Sequence, residues 1–299
     1  TRNVLSYDNS QMFKLGEAQG DLELRTTISR YLHISRGVQC SPEQIIVGAG
    51  NDYLLMLLEK ILGRHIPVAM ERLSYKRAYR IFQSFAYPVT LIGMDEQGMK
   101  VDELATSNAQ LAYVMPAHQY PTGTVMPIGR RMELLKWASG SDDRYIIEDD
   151  YDSEFRYQGK PIPALQSMDK GRKVIYMGSF SKVISPAVRM SYMVLPQVLM
   201  DRYRNIFGAF PSTVSRIDQA VMTKFMEETL HDDYNKNIID TYLEKKYDLK
   251  KDENGQCKYI LKQIEEAIKV NKKSLNIDED KYMKFLSHIA IVNTINWFS

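Results

Sequence analysis

Cysteine is nearly missing from this chain: Cys40 and Cys257 are the only two in 299 residues. Two residues so far apart make neither a disulfide framework nor a zinc-binding spacing, which points to a reducing compartment, the cytoplasm. No apolar run is long enough to span a bilayer and no secretory leader is visible, so no membrane association is expected. Charge of one sign is not in excess either. Thirty-nine basic residues against 37 acidic ones leave a formal charge of +2, which gives no electrostatic footprint for nucleic acid. The first residue is Thr1, not Met, and the natural protein is expected to start upstream of it.

What is present reads as an ordinary globular protein with enough chain for one or two domains. Leu24, Ile28, Tyr31 and Leu32 fall at helical spacing, after a segment punctuated by Gly16 and Gly20. Short apolar runs then recur at 44–48, 66–71, 88–94, 111–115, 145–148, 174–177 and 190–195. Helical patterns at 51–62, 75–85 and 129–139 separate several of them. Strands this apolar, joined by helical crossovers, predict an α/β fold with a mostly parallel sheet covered by helices on both faces.

Three stretches carry chemistry. In KVIYMGSFSKVISPAVR, a strand ends in Ser179 and Ser181, followed by Lys182 and then Arg189. Ligands of α/β sheets sit beyond the carboxyl ends of the strands. A lysine there, partly desolvated beside other cations, becomes a free amine able to form a Schiff base. The serines and the planar guanidinium of Arg189 suit a phosphate; the plain alternative is a solvated loop with a surface lysine. The strand at 145–148 runs into Glu148, Asp149, Asp150, Tyr151 and Asp152. One carboxylate there can pair with a protonated ring nitrogen, and a tyrosine two residues on with a ring hydroxyl. Hard oxygen ligands would also suit a divalent metal, although the cluster holds no histidine. The glycine-rich turn before Asn51 opens a helix whose free N–H groups form an anion site.

These pieces, with GEAQGDLELR, RGVQCSPEQIIVGAG, YVMPAHQYPTGTVMPIGRRMELLKWA, YIIEDDYDSEF and SYMVLP, resemble the fold type I aminotransferases. More closely they resemble the aminotransferase-like domain of MocR/GabR-type, GntR-family transcription regulators. The likeness runs from about residue 16 to about residue 228. HQYPTG is characteristic of the regulators, with Tyr120 where ordinary aminotransferases usually carry an asparagine. The resemblance implies that pyridoxal 5'-phosphate forms an internal aldimine with Lys182. It makes Asp149 the partner of the pyridine nitrogen and Tyr151 that of the ring hydroxyl. Ser179 and Arg189 would hold the phosphate, helped by backbone N–H groups around Asn51 and Asp52. Tyr75 would stack on the ring, and Arg77 would lie on the substrate side; otherwise Tyr75 is a core aromatic and Arg77 a solvated helix residue. It further implies a homodimer that senses a small amino compound, with DNA bound only through a winged helix absent from this chain.

The likeness stops after FMEE, at residues 225–228. Seventeen arginines and nine lysines lie up to Arg216, against 13 lysines and no arginine beyond it. The family's small domain supplies an arginine that clamps a substrate carboxylate, a bidentate role lysine fills poorly, and no such arginine is available here. Turnover therefore looks doubtful and binding the better expectation. The expected layout is an arm at 1–30, a cofactor-binding domain at 31–228 and a lysine-rich helical segment at 229–299. Within that last segment a stretch is faintly similar to the opening of antiterminator regulatory domains, with His288 at a phosphorylatable position.

Overall fold

A computed structural model describes residues 14–151, 163–180 and 188–230. Ser181, Lys182, Asp152, His288 and the expected helical segment beyond Leu230 lie outside the described residues. Apart from Pro121–Gly123, the described residues all belong to one compact unit.

In chain order the elements are α1 (Leu22–Arg36), β1 (Ile45–Gly48), α2 (Asn51–Leu62), β2 (Val68–Glu71), α3 (Lys76–Ser84) and β3 (Val89–Ile92). Next come β4 (Met94–Asp95), β5 (Gly98–Met99), α4 (Val101–Thr106), β6 (Leu111–Val114), α5 (Ile128–Ser139) and β7 (Tyr145–Asp150). The last are α6 (Gln166–Asp169), β8 (Val174–Ser179), β9 (Ser191–Val194), α7 (Gln197–Phe207) and α8 (Arg216–Leu230). Seven strands form one sheet in the order β1-β9-β8-β7-β6-β2-β3, and β4 and β5 form a separate two-stranded ribbon. From β8 across to β3 every pairing is parallel, whereas β9 is antiparallel to both β8 and β1.

The mostly parallel sheet is the expected one, and the reversed strand adds a detail. Residues 180–190 join β8 to β9, a link shorter than the dozen or more residues that a parallel crossover needs. β9 therefore lies antiparallel beside β8, with Ser179 opposite Ser191. The strand expected at 88–94 also breaks in two. At Gly93 the backbone N–H donates to Glu103 Oε2 at 2.7 Å, and a Cβ there would meet that carboxylate at 2.6 Å. Contact with α4 thus diverts the chain between β3 and β4.

Alternate side chains of each strand enter opposite layers, as the period of two requires. On one face, Met70, Tyr113, Ile147, Ile175 and Met193 pack under α2, α3 and α7. On the other, Ala112, Val114, Ile146 and Val174 meet α4 and α5, and Ile45, Val47, Tyr176 and Val194 meet α1 and α8. Burying a side chain such as Leu54, with no exposed surface, contributes about 1.5–3 kcal/mol. The boundary expected between residues 30 and 31 falls inside α1, with Leu24 and Ile28 before it and Leu32 after it in the same buried cluster.

Two buried groups fix the sheet near its carboxyl edge. Arg131 donates to the carbonyls of Met126, Pro116 and Pro163, tying the loop after β6 to the chain before α6. Gly178 of β8 lies so close to the ring of Tyr192 that a Cβ would come within 2.4 Å of it, so only glycine lets β8 and β9 pair here. Among the described residues no helix is long and apolar enough to cross a membrane.

Candidate active site

Because β1, β2, β6, β7 and β8 run the same way, their carboxyl ends share one edge of the sheet, the edge where such folds place ligands. The residues that end those strands, or follow them, include Asn51 and Asp52 after β1 and Tyr75 and Arg77 after β2. His118, Gln119 and Tyr120 follow β6, Asp149 and Tyr151 close β7, and Ser179 closes β8.

The acidic cluster of β7 is divided by strand alternation. Glu148 and Asp150 face α1 and α6. Glu148 accepts the N–H groups of Leu165 at 2.7 Å and Gln166 at 2.9 Å. Burial, and then the nearby Asp150 charge, push its carboxyl up to about 7. Asp150 accepts from Arg36 Nε at 2.8 Å and from the Tyr176 hydroxyl at 2.6 Å. Burial opposes the Arg36 charge, but Asp150, Tyr176 and Glu148 beside it hold the guanidinium above its ordinary pKa. Asp149 alone faces the opposite layer, only 4% exposed, where the Tyr113 hydroxyl donates to its Oδ2. Burial first, then the Asp149 carboxylate, raise the Tyr113 phenol well above its usual range, so it stays a proton donor. Among the described residues no group of three or more His, Cys, Asp or Glu is arranged to hold a metal.

Around Asp149 stands an aromatic frame. Tyr75 meets Tyr120 edge-on with centroids 6.1 Å apart, and Tyr120 meets Tyr151 edge-on at 6.3 Å. The His118 and Tyr151 rings lie nearly parallel, 14° apart, with Tyr151 Oη 3.3 Å from His118 Nδ1. Tyr75 is 40% exposed. Burial is the main cause that raises its phenol, and the Asp149 charge adds to it. Aromatic side chains of this kind beside one buried carboxylate suit a planar, cationic heteroaromatic ring.

Beside it is a cationic corner. Gly50, at φ +96°, caps the start of α2, and a Cβ on it would lie 3.2 Å from Arg189 Nη2. The glycine serves both the turn and the arginine's approach. Asp52 takes Arg77 Nε at 3.0 Å and a second, closer contact from Arg77 Nη2, while Arg189 Nη2 stands at 3.4 Å. Two guanidiniums around one carboxylate, at the amino end of a 12-residue helix, leave net positive charge for an anion.

The structure thus brings Asn51, Asp52, Arg77 and Arg189 together, and separately Tyr75, Tyr120, Tyr151 and Asp149. Ser179 ends β8 one residue past Gly178, which pairs with Asp150. Four participants were not singled out from sequence: Tyr113, His118, Gln119 and Glu71. In an apolar strand Tyr113 reads as a core aromatic. The others stand inside ERLSY and HQYPTG, whose spacing alone assigns them no partner.

A family model described as aminotransferase class I and II matches residues 2–252. YdeL, an uncharacterised HTH-type transcriptional regulator of Bacillus subtilis, is 41% identical over 225 residues, 75% of this chain and 48% of that protein. The probable rhizopine catabolism regulatory protein MocR of Rhizobium meliloti is 32% identical over 223 residues, 74% of this chain and 45% of that one. The solved multiple substrate aminotransferase of Thermococcus profundus is 27% identical, with a TM-score of 0.70 over 81% of this chain and 62% of its own. The chain spans about half the length of the curated relatives it matches. The family match over most of its length, on a sheet whose parallel strands end in this site, establishes that the chain belongs to the aminotransferase class I and II family, and it is more similar to the two regulators than to the solved enzyme.

Proposed function

We propose that this chain is the pyridoxal 5'-phosphate-binding, effector-sensing domain of a transcription regulator, with the cofactor attached to Lys182. The observation that carries the reading is Asp149: a carboxylate only 4% exposed at the end of a parallel strand, set by Tyr113 and turned away from its two acidic neighbours. The donor set around it fits the cofactor. Asp149 would hold the pyridine nitrogen protonated, Tyr151 would meet the ring hydroxyl, and Tyr75 would cover the ring. Arg189, Ser179, Ser181 and the N–H groups at Asn51 and Asp52 would receive the phosphate. When bound, the cofactor supplies a carbonyl that exchanges lysine for another amine and a ring that withdraws electrons.

Sensing is favoured over turnover by the comparisons: the chain is 41% and 32% identical to two transcription regulators and 27% identical to the solved aminotransferase. In this reading the domain works as a homodimer in the cytoplasm. DNA is contacted by the part of the relatives' length that this chain does not span. The test is to mix the cofactor-loaded chain with a panel of amino acids and amines, following its visible absorption. The expected result is a saturable spectral change with no accumulation of the pyridoxamine form. Stoichiometric conversion to that form, with turnover on adding a keto acid, would instead establish a working aminotransferase.

A further inference from the structure

Gln119 is 2% exposed and lies between the two aromatic residues His118 and Tyr120. Its Nε2 donates to Glu71 Oε2 at 3.1 Å and to the Leu73 carbonyl at 2.5 Å. Its backbone N–H is taken by the Thr124 carbonyl at 3.0 Å. Glu71 is the last residue of β2 and fully buried. One carboxamide therefore joins the end of β2 to the loop that follows β6.

The consequence is geometric. Leu73 is two residues from Tyr75, and Gln119 is adjacent to Tyr120, whose rings meet edge-on. On its other side Gln119 adjoins His118, which lies parallel to Tyr151. Tyr75 is 40% exposed and follows an exposed Leu73, so the core gives it little lateral support. Burial pushes the Glu71 carboxyl up to about 7, and a hydrogen bond to a group this buried has no water to replace it. The Gln119 bridge thus ties the segment that carries Tyr75 to the segment that carries Tyr120.

We propose that Gln119 is a positioning residue: through Glu71 and Leu73 it sets the separation of Tyr75 from the Tyr120 and Tyr151 rings, and so how a planar heteroaromatic ring is held beside them. The proposal rests on the pyridoxal 5'-phosphate reading above. It predicts that bond loss at position 119 alters how the ring is held more than whether the chain folds.

The test uses the full 299-residue chain with pyridoxal 5'-phosphate as probe. Three quantities are read: the dissociation constant, the visible circular dichroism of the bound cofactor, and the melting temperature without cofactor. Gln119→Leu keeps the volume and removes both donated bonds. It is expected to weaken binding about tenfold, the order of one lost buried hydrogen bond, and to change the dichroism per bound cofactor. Glu71→Gln retains an acceptor oxygen and is expected to keep the wild-type dichroism, whereas Glu71→Leu reproduces the Gln119→Leu spectrum. If Gln119→Leu does not fold, Gln119→Asn, one methylene too short, makes the same comparison. Wild-type affinity and dichroism in the position 119 variant would overturn the proposal. So would a dichroism per bound cofactor that stays constant while only the melting temperature falls. A wild-type chain that takes up no cofactor overturns the underlying reading and this proposal with it.

Discussion

Asp149→Asn is expected to lower the affinity for pyridoxal 5'-phosphate about a hundredfold while barely changing the melting temperature of the cofactor-free chain. Asparagine keeps the shape of the side chain and an oxygen to accept the Tyr113 hydroxyl, so the local packing survives. What it removes is the negative charge facing a protonated ring nitrogen. A charge-assisted hydrogen bond in a site this dry is worth about 1.5–3 kcal/mol, and 2.7 kcal/mol is a hundredfold in affinity. Stability should move by less than about 1 kcal/mol, which is a shift of about 2–4 °C for a domain of this size. Titration of absorbance or of tyrosine fluorescence gives the affinity, and a thermal melt gives the second number. Equal affinity in the two proteins would remove Asp149 from the site.

The next residue along the strand is expected to behave in the opposite way. Arg36 and Asp150 form a pair in which the guanidinium side chain is 6% exposed and the carboxylate 1%, with a Nη2–Oδ2 distance of 2.8 Å. Replacing Arg36 by methionine leaves the Asp150 charge buried without its main counter-charge. Breaking a buried pair from one side costs about 3–5 kcal/mol, a fall in melting temperature of about 6–20 °C. Arg36→Met combined with Asp150→Asn removes the uncompensated charge and is expected to recover more than half of that loss. In the stabilised double variant, cofactor affinity should stay within a few-fold of wild type, because Asp150 faces α1 and not the aromatic frame. Adjacent carboxylates on one strand would then divide cleanly, Asp149 for binding and Asp150 for stability. Equal stability of Arg36→Met and wild type would show that the pair is not a structural anchor.

That division shows what the sequence reveals and what it conceals. The strands were legible because each is a short apolar run, and α2 occupies the 51–62 span that its periodicity indicates. The acidic cluster at the end of the apolar run at 145–148 marks a candidate site, and the family resemblance assigns Asp149 and Tyr151 within it. Which acid faces which layer was not legible; it depends on Tyr113 of the neighbouring strand β6, 36 residues away, and on Arg36 from α1, 114 residues away. The direction of β9 was hidden for a related reason: an apolar run pairs equally well either way, and only the length of its connection to β8 decides. Glu71 and Gln119 are 48 residues apart, so their meeting exists only in the folded sheet. Lys182, by contrast, was assigned from its motif, and it lies outside the described residues.

The central claim is therefore tested most directly at that lysine. The chain and its Lys182→Ala variant are each incubated with pyridoxal 5'-phosphate, reduced with borohydride, digested, and searched by mass spectrometry for the phosphopyridoxyl group. Stoichiometric labelling of the peptide containing Lys182 is expected in the wild-type chain, with loss of both that label and the absorption band near the visible edge in the variant. Labelling scattered over surface lysines, or an absorption band unchanged by Lys182→Ala, would contradict the claim.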